Sequence, residues 1–409
     1  MKSPPVIPIG LEYLATALEQ NDHIVDILDL CFVSSPIEEL EKLFDKDTYD
    51  IVGFTIRNID TCHYFHNEFY LLEFKKLIDF IKKQEIPIIL GGAGFSAMPN
   101  EILEYLQADF GIIGPGDIIL PKFLDLWQKD KITTKIFDGW RDGIDNTLVH
   151  KRGDKINYQQ YISNEGIVGF STHVGCLNQC PYCVEANTKV SFKKIDNIIS
   201  ELELLINQGY THFHLCDSEF NSNLNFSIDF CDAIVNKSLP FKWTLYMQPT
   251  PYNEKLFYLL NKSNAYLITL IVDSDKIIQA LNNYSYEDLA NFIDFCNNYN
   301  IDLAIDLLTG YPCETIESTK EMIEFFKENR PKTVGINYYY RIYKHTVLEK
   351  TVINNAALQQ NLSRVYSEED NFLKPIFFSQ YEQKDIEDLI TGDELFHIAG
   401  TTPGVNYQL

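Results

Sequence analysis

Three cysteines stand four and three residues apart in the stretch THVGCLNQCPYCVEAN (172–187): Cys176, Cys180 and Cys183. Thiolates grouped this closely are soft ligands that select zinc or iron–sulfur clusters. A structural zinc site closes with four ligands, yet only three lie in this loop, and there is no second CxxC elsewhere. His173 or Cys216 could supply a fourth and close a zinc site. Otherwise the three thiolates would hold three irons of a [4Fe–4S] cluster and leave the fourth iron open to a substrate.

The loop follows directly on a strand-like run, and the elements around it set where it points. From residue 166 to about 340, apolar runs alternate with helical patterns. The runs GIVGFSTHV, HFHLCD, KWTLYM, AYLITLIVD, DLAIDLLTG and TVGINYYY predict strands, with helices such as NIISELELLINQ and TIESTKEMIEFFKEN between them. Six parallel strands predict a partial (β/α) barrel, with its chemistry at the strands' C-terminal ends. Residues 1–127 have the same rhythm: LEYLATALEQ, then the strand-like HIVDILDL (23–30), YDIVGFTI, IPIILGG and FGIIGPGD, with helical patterns between. That predicts an open, doubly wound α/β sheet whose ligand loops lie beyond the strand ends, at RNID (57–60), GGAGFS (91–96) and GPGD (114–117). Residues 128–165 are polar and turn-rich and read as the connecting segment, with a hairpin closed at Arg152-Gly153-Asp154. Residues 341–409 form a mixed C-terminal segment placed to cover a substrate.

Composition bounds the function. A chain of 409 residues exceeds the roughly 250–300 at which a single core stops growing, so two or three domains are expected. Fifty-eight acidic residues against 34 basic give a net charge of −24, a field that repels phosphate backbones and anionic lipid; no nucleic-acid or membrane partner is expected. The start MKSPPVIPIG has no apolar stretch behind a basic residue, and the longest apolar runs are about half of the ~18 residues a membrane span needs. Nine scattered cysteines are too few for a disulfide scaffold, which points to a reducing cytoplasm.

CxxxCxxC after the first strand of a partial barrel resembles the signature of the radical S-adenosylmethionine (SAM) superfamily. The resemblance implies a [4Fe–4S] cluster on Cys176, Cys180 and Cys183 whose open iron chelates the amino and carboxylate groups of SAM, with Tyr182 packed near adenine. CDSEFN (216–221) is similar to the acidic segment that receives SAM's amino group, which makes Asp217, Ser218 and Glu219 candidates; capping of the next helix is the competing role for Ser218 and Glu219. Gln248, Asp273 and Ser274 end the third and fourth strands and are candidates for SAM's carboxylate or ribose. LLTGYPCET (307–315) resembles the glycine segment beside adenine, with Gly310 allowing close approach. Tyr340, Arg341 and Tyr343 end the sixth strand and are candidates for the substrate.

A doubly wound domain before such a barrel resembles the cobalamin-binding subfamily. PPVIPIGLEYLATALEQNDHIVDILDL is similar to its opening, although a further apolar strand usually precedes the PP segment. On this resemblance Gly91, Gly92, Gly94, Gly114 and Gly116 let the backbone approach the corrin, and Arg57 and Asn58 face it; alternatively Arg57 pairs with Asp60. There is no DxHxxG segment, so no histidine is expected below cobalt, and His23 reads as a surface residue. GPGD stands where GEGE is usual.

The cofactors so implied are a [4Fe–4S] cluster, SAM and cobalamin, with an external flavodoxin- or ferredoxin-type electron donor and a small-molecule substrate. The resemblance implies C-methylation of an unactivated carbon by way of a 5′-deoxyadenosyl radical and methylcobalamin. A cobalamin-dependent rearrangement or cyclisation without methyl transfer is the alternative, and a non-catalytic zinc protein the third reading. No side chain is identified as a catalytic base.

Overall fold

The computed structural model describes residues 4–367 and 369–401. The residues Met1–Ser3 and the end of HIAGTTPGVNY, from 402, lie outside them. Within these bounds the chain builds two parallel sheets. The first runs β1 (Val52–Thr55), β2 (Ile88–Gly91), β3 (Phe110–Ile113) and β4 (Ile136–Asp138), in that spatial order. Its strands are short apolar runs because helices flank them; Ile88, Leu90 and the facing Ile78, Ile102 and Leu106 are buried. β4 falls inside the segment expected to be only a connection. Three residues, Ile-Phe-Asp, are too short to show a strand period in the sequence.

The strand expected at 23–30 is not formed. β1 pairs only with β2, and among the described residues this segment forms no ladder with its free edge. Side chains hold it instead: Tyr49 Oη donates to Asp26 at 2.8 Å, Tyr161 Oη to Asp29 at 2.8 Å, and Lys155 Nζ to the Val25 carbonyl at 2.7 Å.

The second sheet has seven strands in sequential order: β5 (Val168–Phe170), β6 (His212–Leu215), β7 (Lys242–Met247), β8 (Ala265–Val272), β9 (Asp302–Leu308), β10 (Thr333–Asn337) and β11 (Phe396–Ile398). The first six are the strands read from the sequence. The seventh comes from the C-terminal segment and pairs His397 with Gly335. Successive side chains alternate between faces. Phe170, Phe213, Trp243, Leu245, Leu270, Ile305 and Ile336 enter the large core, while Gly169, His214 and Thr244 align across the other face, as do Asp306, Gly335 and His397.

The expected hairpin at 152–154 is replaced by an ionic hub. Arg152, with no exposed surface, donates through Nε to Glu12 at 2.9 Å and Tyr158 at 2.8 Å, through Nη1 to Glu201, and through Nη2 to the Gly169 carbonyl at 2.9 Å. Glu12 also accepts from Gly153 N–H at 2.7 Å, and Glu201 accepts from Tyr13 at 2.9 Å. Lys193 and His150 stand 3.6 Å from Glu201. One arginine thereby joins helix Ile9–Glu19 of the first sheet's domain to helix Ile195–Asn207 and strand β5 of the barrel.

Candidate functional site

Beyond β5 a two-residue antiparallel ladder, His173–Val174 with Ser191–Phe192, closes the loop that carries the cysteines. Cys176 N–H donates to Thr188 Oγ1 and Thr188 N–H to the Cys176 carbonyl, both at 2.9 Å. Cys183 N–H donates to the Cys180 carbonyl at 3.1 Å and Asn187 N–H to Asn178 at 2.8 Å. The loop is thus folded on itself, and its three thiols share one environment: the charges of Cys183 and Glu219 bear on both Cys176 and Cys180. Burial pushes Cys176 up to about 11 and moves Cys180 and Cys183 the same way. Such thiols are inert nucleophiles until a metal takes the place of the proton.

Neither candidate fourth zinc ligand joins them. His173 Nδ1 lies 3.1 Å from Asp217 and its ring packs on Phe192, while Cys216 Sγ points along β6 to the His214 carbonyl. Among the described residues no three His, Cys, Asp or Glu side chains form a site for a single ion. A four-iron cluster places each thiolate on a different iron, so it does not require the three thiols to converge on a single ion.

The acidic segment divides. Asp217 accepts from Thr172 N–H at 2.7 Å, from the Thr172 hydroxyl, and from His173 N–H at 3.3 Å. Its lone pairs are committed to joining β5 to β6, so it is a poor receiver for a ligand. Ser218 donates to Glu185 at 3.0 Å and caps nothing. Glu219 is buried, and its Oε2 has no hydrogen-bond partner. Burial, then the neighbouring Asp273, push its carboxyl up to about 8. Asp273 is raised to about 6 by burial and accepts from Tyr182 Oη at 2.7 Å, while its N–H donates to Tyr284 at 2.9 Å. Ser274 Oγ and Tyr340 Oη are also buried and face each other without a hydrogen bond of ordinary geometry, and the Tyr340 ring lies 5.3 Å from that of Tyr182. Gln248 is held through its backbone by Asn221.

Gly310 has φ +80°, and a Cβ there would meet the Tyr338 carbonyl at 2.6 Å. Its N–H donates to Glu314, whose Oε1 is buried and unpartnered and whose carboxyl is raised to about 7 by burial. Glu314, Glu185 and Tyr284 were missed in the sequence. Glu314 had a signal, standing four residues after Gly310; Tyr284 lies in no motif. A ligand bringing an ammonium and hydroxyl donors would satisfy the open valences of Glu219, Ser274, Tyr340 and Glu314. The residues present fit a cluster with SAM beside it.

A measurable consequence follows for the protein without cofactors. A carboxyl whose folded pKa is raised is stabilising only while protonated, so stability falls as pH rises from about 4.5 toward about 8. Thermal unfolding across that range is expected to show a falling Tm, and Glu219→Gln to remove part of the slope, the rest belonging to Asp273 and Glu314; an unchanged slope would mean that Glu219 is not a buried acid.

The loops at the strand ends of the first sheet face the barrel. Arg57 and Asn58 are exposed at the end of β1, and the Arg57 charge reaches His214 of β6 and Cys216 just beyond it. Asp60 does not pair with it: its Oδ2 accepts from Arg341 Nε at 3.1 Å. Arg341 is consequently buried, donating also to the Ile342, Phe372 and Leu373 carbonyls, and is not placed to face a substrate. Tyr343 Oη lies 3.0 Å from Cys62 Sγ. The glycines are used mainly by the chain itself. A Cβ on Gly92 or Gly94 would strike the Ile56 carbonyl at 2.6 or 2.9 Å, one on Gly116 would strike Leu14 at 2.5 Å and one on Gly114 the Trp140 ring, whereas Gly91 has room.

Comparison with known proteins agrees with this layout. The family model of the B12 binding domain matches residues 4–124, and that of the Radical SAM superfamily matches residues 170–326. Tryptophan 2-C-methyltransferase of Streptomyces laurentii is 21% identical over 93% of this chain and 78% of its own. A tRNA-2-methylthio-N(6)-dimethylallyladenosine synthase of Petrotoga mobilis is 25% identical over 40% of this chain and 42% of its own. The structure of the radical S-adenosylmethionine methyltransferase TsrM from Kitasatospora setae, with cobalamin and [4Fe–4S] cluster bound, superposes with a TM-score of 0.89 at 21% identity, covering 98% of this chain and 91% of that one. A second TsrM structure, with tryptophan substrate and a SAM analogue, gives 0.88.

Proposed function

We propose, from the premise that the chain belongs to the radical SAM superfamily and carries an N-terminal B12-binding domain, that it is a cobalamin-dependent methyltransferase acting on carbon. The observation that carries the reading is the folded three-cysteine loop beside the unpartnered, buried Glu219, at strand ends facing the loops of the first sheet. When bound, the cluster with SAM and the cobalamin would supply one-electron and methyl-transfer chemistry. The chain's own residues do the rest. Cys176, Cys180 and Cys183 hold the cluster. Glu219, with Asp273 held by Tyr182, receives an ammonium; Ser274 and Tyr340 receive hydroxyl donors; Gly310 lets the backbone close over a flat ring. Arg57, at the strand ends facing β6, stands toward the corrin. The apolar core behind the strands and the burial of these acids exclude water.

A small aromatic substrate is favoured. Tyr64, Phe65, Tyr339 and Phe377 gather their rings, with Tyr64 5.4 Å from Tyr339 and 5.7 Å from Phe377, where the β1 loop meets the exit of β10, and tryptophan is the substrate named for the Streptomyces laurentii methyltransferase and for TsrM. A flavodoxin- or ferredoxin-type donor would reduce the cluster. No helix among the described residues is long and apolar enough to cross a membrane.

The test is anaerobic reconstitution with iron, sulfide and hydroxocobalamin, then incubation with SAM and tryptophan or simpler aromatic amines. About four irons and one cobalt per chain and a product heavier by one CH2 are expected. Iron without cobalt, or a product of unchanged mass, would reject methyl transfer; unchanged mass with both cofactors bound would favour rearrangement. Glu219→Gln is expected to weaken SAM binding by about tenfold or more, the loss of a charged hydrogen bond, as read by titration calorimetry.

A further inference from the structure

One indole side chain is clamped between the two halves of the molecule. Trp140 lies in the helical turn Gly139–Asp142, begun by Asp138, which accepts from Trp140 N–H at 3.0 Å. On one side it covers Gly114 of the GPGD loop: with φ +73°, a Cβ there would lie 2.7 Å from Trp140 Cδ2. On the other it reaches Gly175, the residue before the first cysteine: with φ +86°, a Cβ there would lie 3.3 Å from Trp140 Cζ3 and 2.2 Å from the Lys189 carbonyl. Two glycines in left-handed conformations, one from each domain, thus make room for the same ring.

The rest of the turn is pressed from both sides as well. A Cβ on Gly139 would be 2.0 Å from the Pro115 carbonyl, and one on Gly143 would be 2.6 Å from Ser191 Oγ. Lys189 Nζ donates to the Arg141 carbonyl at 2.9 Å. Lys189 follows Thr188, the residue that pins Cys176 in both directions. Nothing in the sequence distinguishes Trp140, which lies between the two matched domains.

We infer that Trp140 is a positioning residue, a wedge that holds the GPGD loop and the cysteine loop at one spacing and so sets the distance between cobalt and cluster. The inference rests on the cofactor reading above. It acts on geometry and not on ligand supply, so both cofactors load without it.

The test compares wild type, Trp140→Ala and Trp140→Phe, each reconstituted with both cofactors and reduced so that cluster and cobalt carry unpaired electrons. Pulsed dipolar EPR then reads the cobalt–cluster distance. A narrow distribution in wild type, broadened in Trp140→Ala at unchanged iron and cobalt content and restored in Trp140→Phe, is the expected result. Hydrogen exchange should rise several-fold in Trp140→Ala at 114–118 and at 175–190 together. A narrow distribution in Trp140→Ala, or faster exchange confined to 139–142, would overturn the wedge while leaving the methyltransferase reading intact. A wild type that loads iron but no cobalt would instead overturn the cofactor reading, and the spacing with it.

Discussion

Cys180→Ser is expected to lose the brown absorbance of the cluster on anaerobic reconstitution while keeping cobalt, with iron at background and no methylated product. The thiolate is the ligand, and a serine hydroxyl is neither soft nor ionised near neutral pH, so one cluster edge loses its anchor. Among the described residues neither His173 nor Cys216 groups with the remaining thiols as a site for one ion. Folding should barely change. Cys180 is half-buried in a loop held by backbone bonds of Cys176, Cys183 and Asn187, and serine keeps its volume, so the midpoint of urea unfolding should match that of wild type without cofactors. Cys313→Ser, at an exposed position outside the loop, should retain iron and turnover. Iron retained in Cys180→Ser would reject the three-cysteine cluster; iron lost equally in Cys313→Ser would mean that the assay reads general damage.

The cysteine site was legible because its information is local. Ligand spacing of four and three survives any error in topology, and the six barrel strands announce themselves through runs such as AYLITLIV, continuous because both faces of the parallel sheet are covered. What failed depended on neighbours. HIVDILDL has the composition of a strand, but its residues are held by side chains from elsewhere in the chain, Tyr49, Tyr161 and Lys155, and it makes no ladder with the free edge of β1. Phe396–Ile398 is too short to be read as a strand, and it becomes one because β10 has a free edge. The site residues divided for a related reason: Asp217 and Glu219 are equivalent in sequence, two acids in CDSEFN, and only the position of Thr172 decides that one is committed and the other left open. Arg341 was expected at the substrate and lies instead against Asp60, 281 residues away in the chain.

Arg152→Met is expected to destabilise the protein by about 3–5 kcal/mol, the cost of leaving buried charges without their partner. Glu12 and Glu201 are 3% and 1% exposed, and each would lose its guanidinium contact at once. Glu201 would keep Lys193 and His150 at 3.6 Å, whereas Glu12 would keep only the hydroxyl of Tyr158 and the N–H of Gly153. The sign of the pH dependence follows from the same contacts. Burial alone would raise Glu201, but Lys193 and Arg152 hold it below the usual carboxylate range. Its contribution is therefore present above its unfolded pKa and lost as pH falls through the folded one. Wild type should weaken steadily below about pH 4.5, and Arg152→Met should show less of this acid slope, since part of the depression is gone. The paired replacement Arg152→Met with Glu12→Gln should recover part of the loss, because it removes one stranded charge together with its partner. Because the hub ties helix Ile9–Glu19 to helix Ile195–Asn207, Arg152→Met should also split a single unfolding transition into two, the first-sheet domain melting before the barrel. A single transition with unchanged midpoint would show that the hub contributes nothing to holding the domains together.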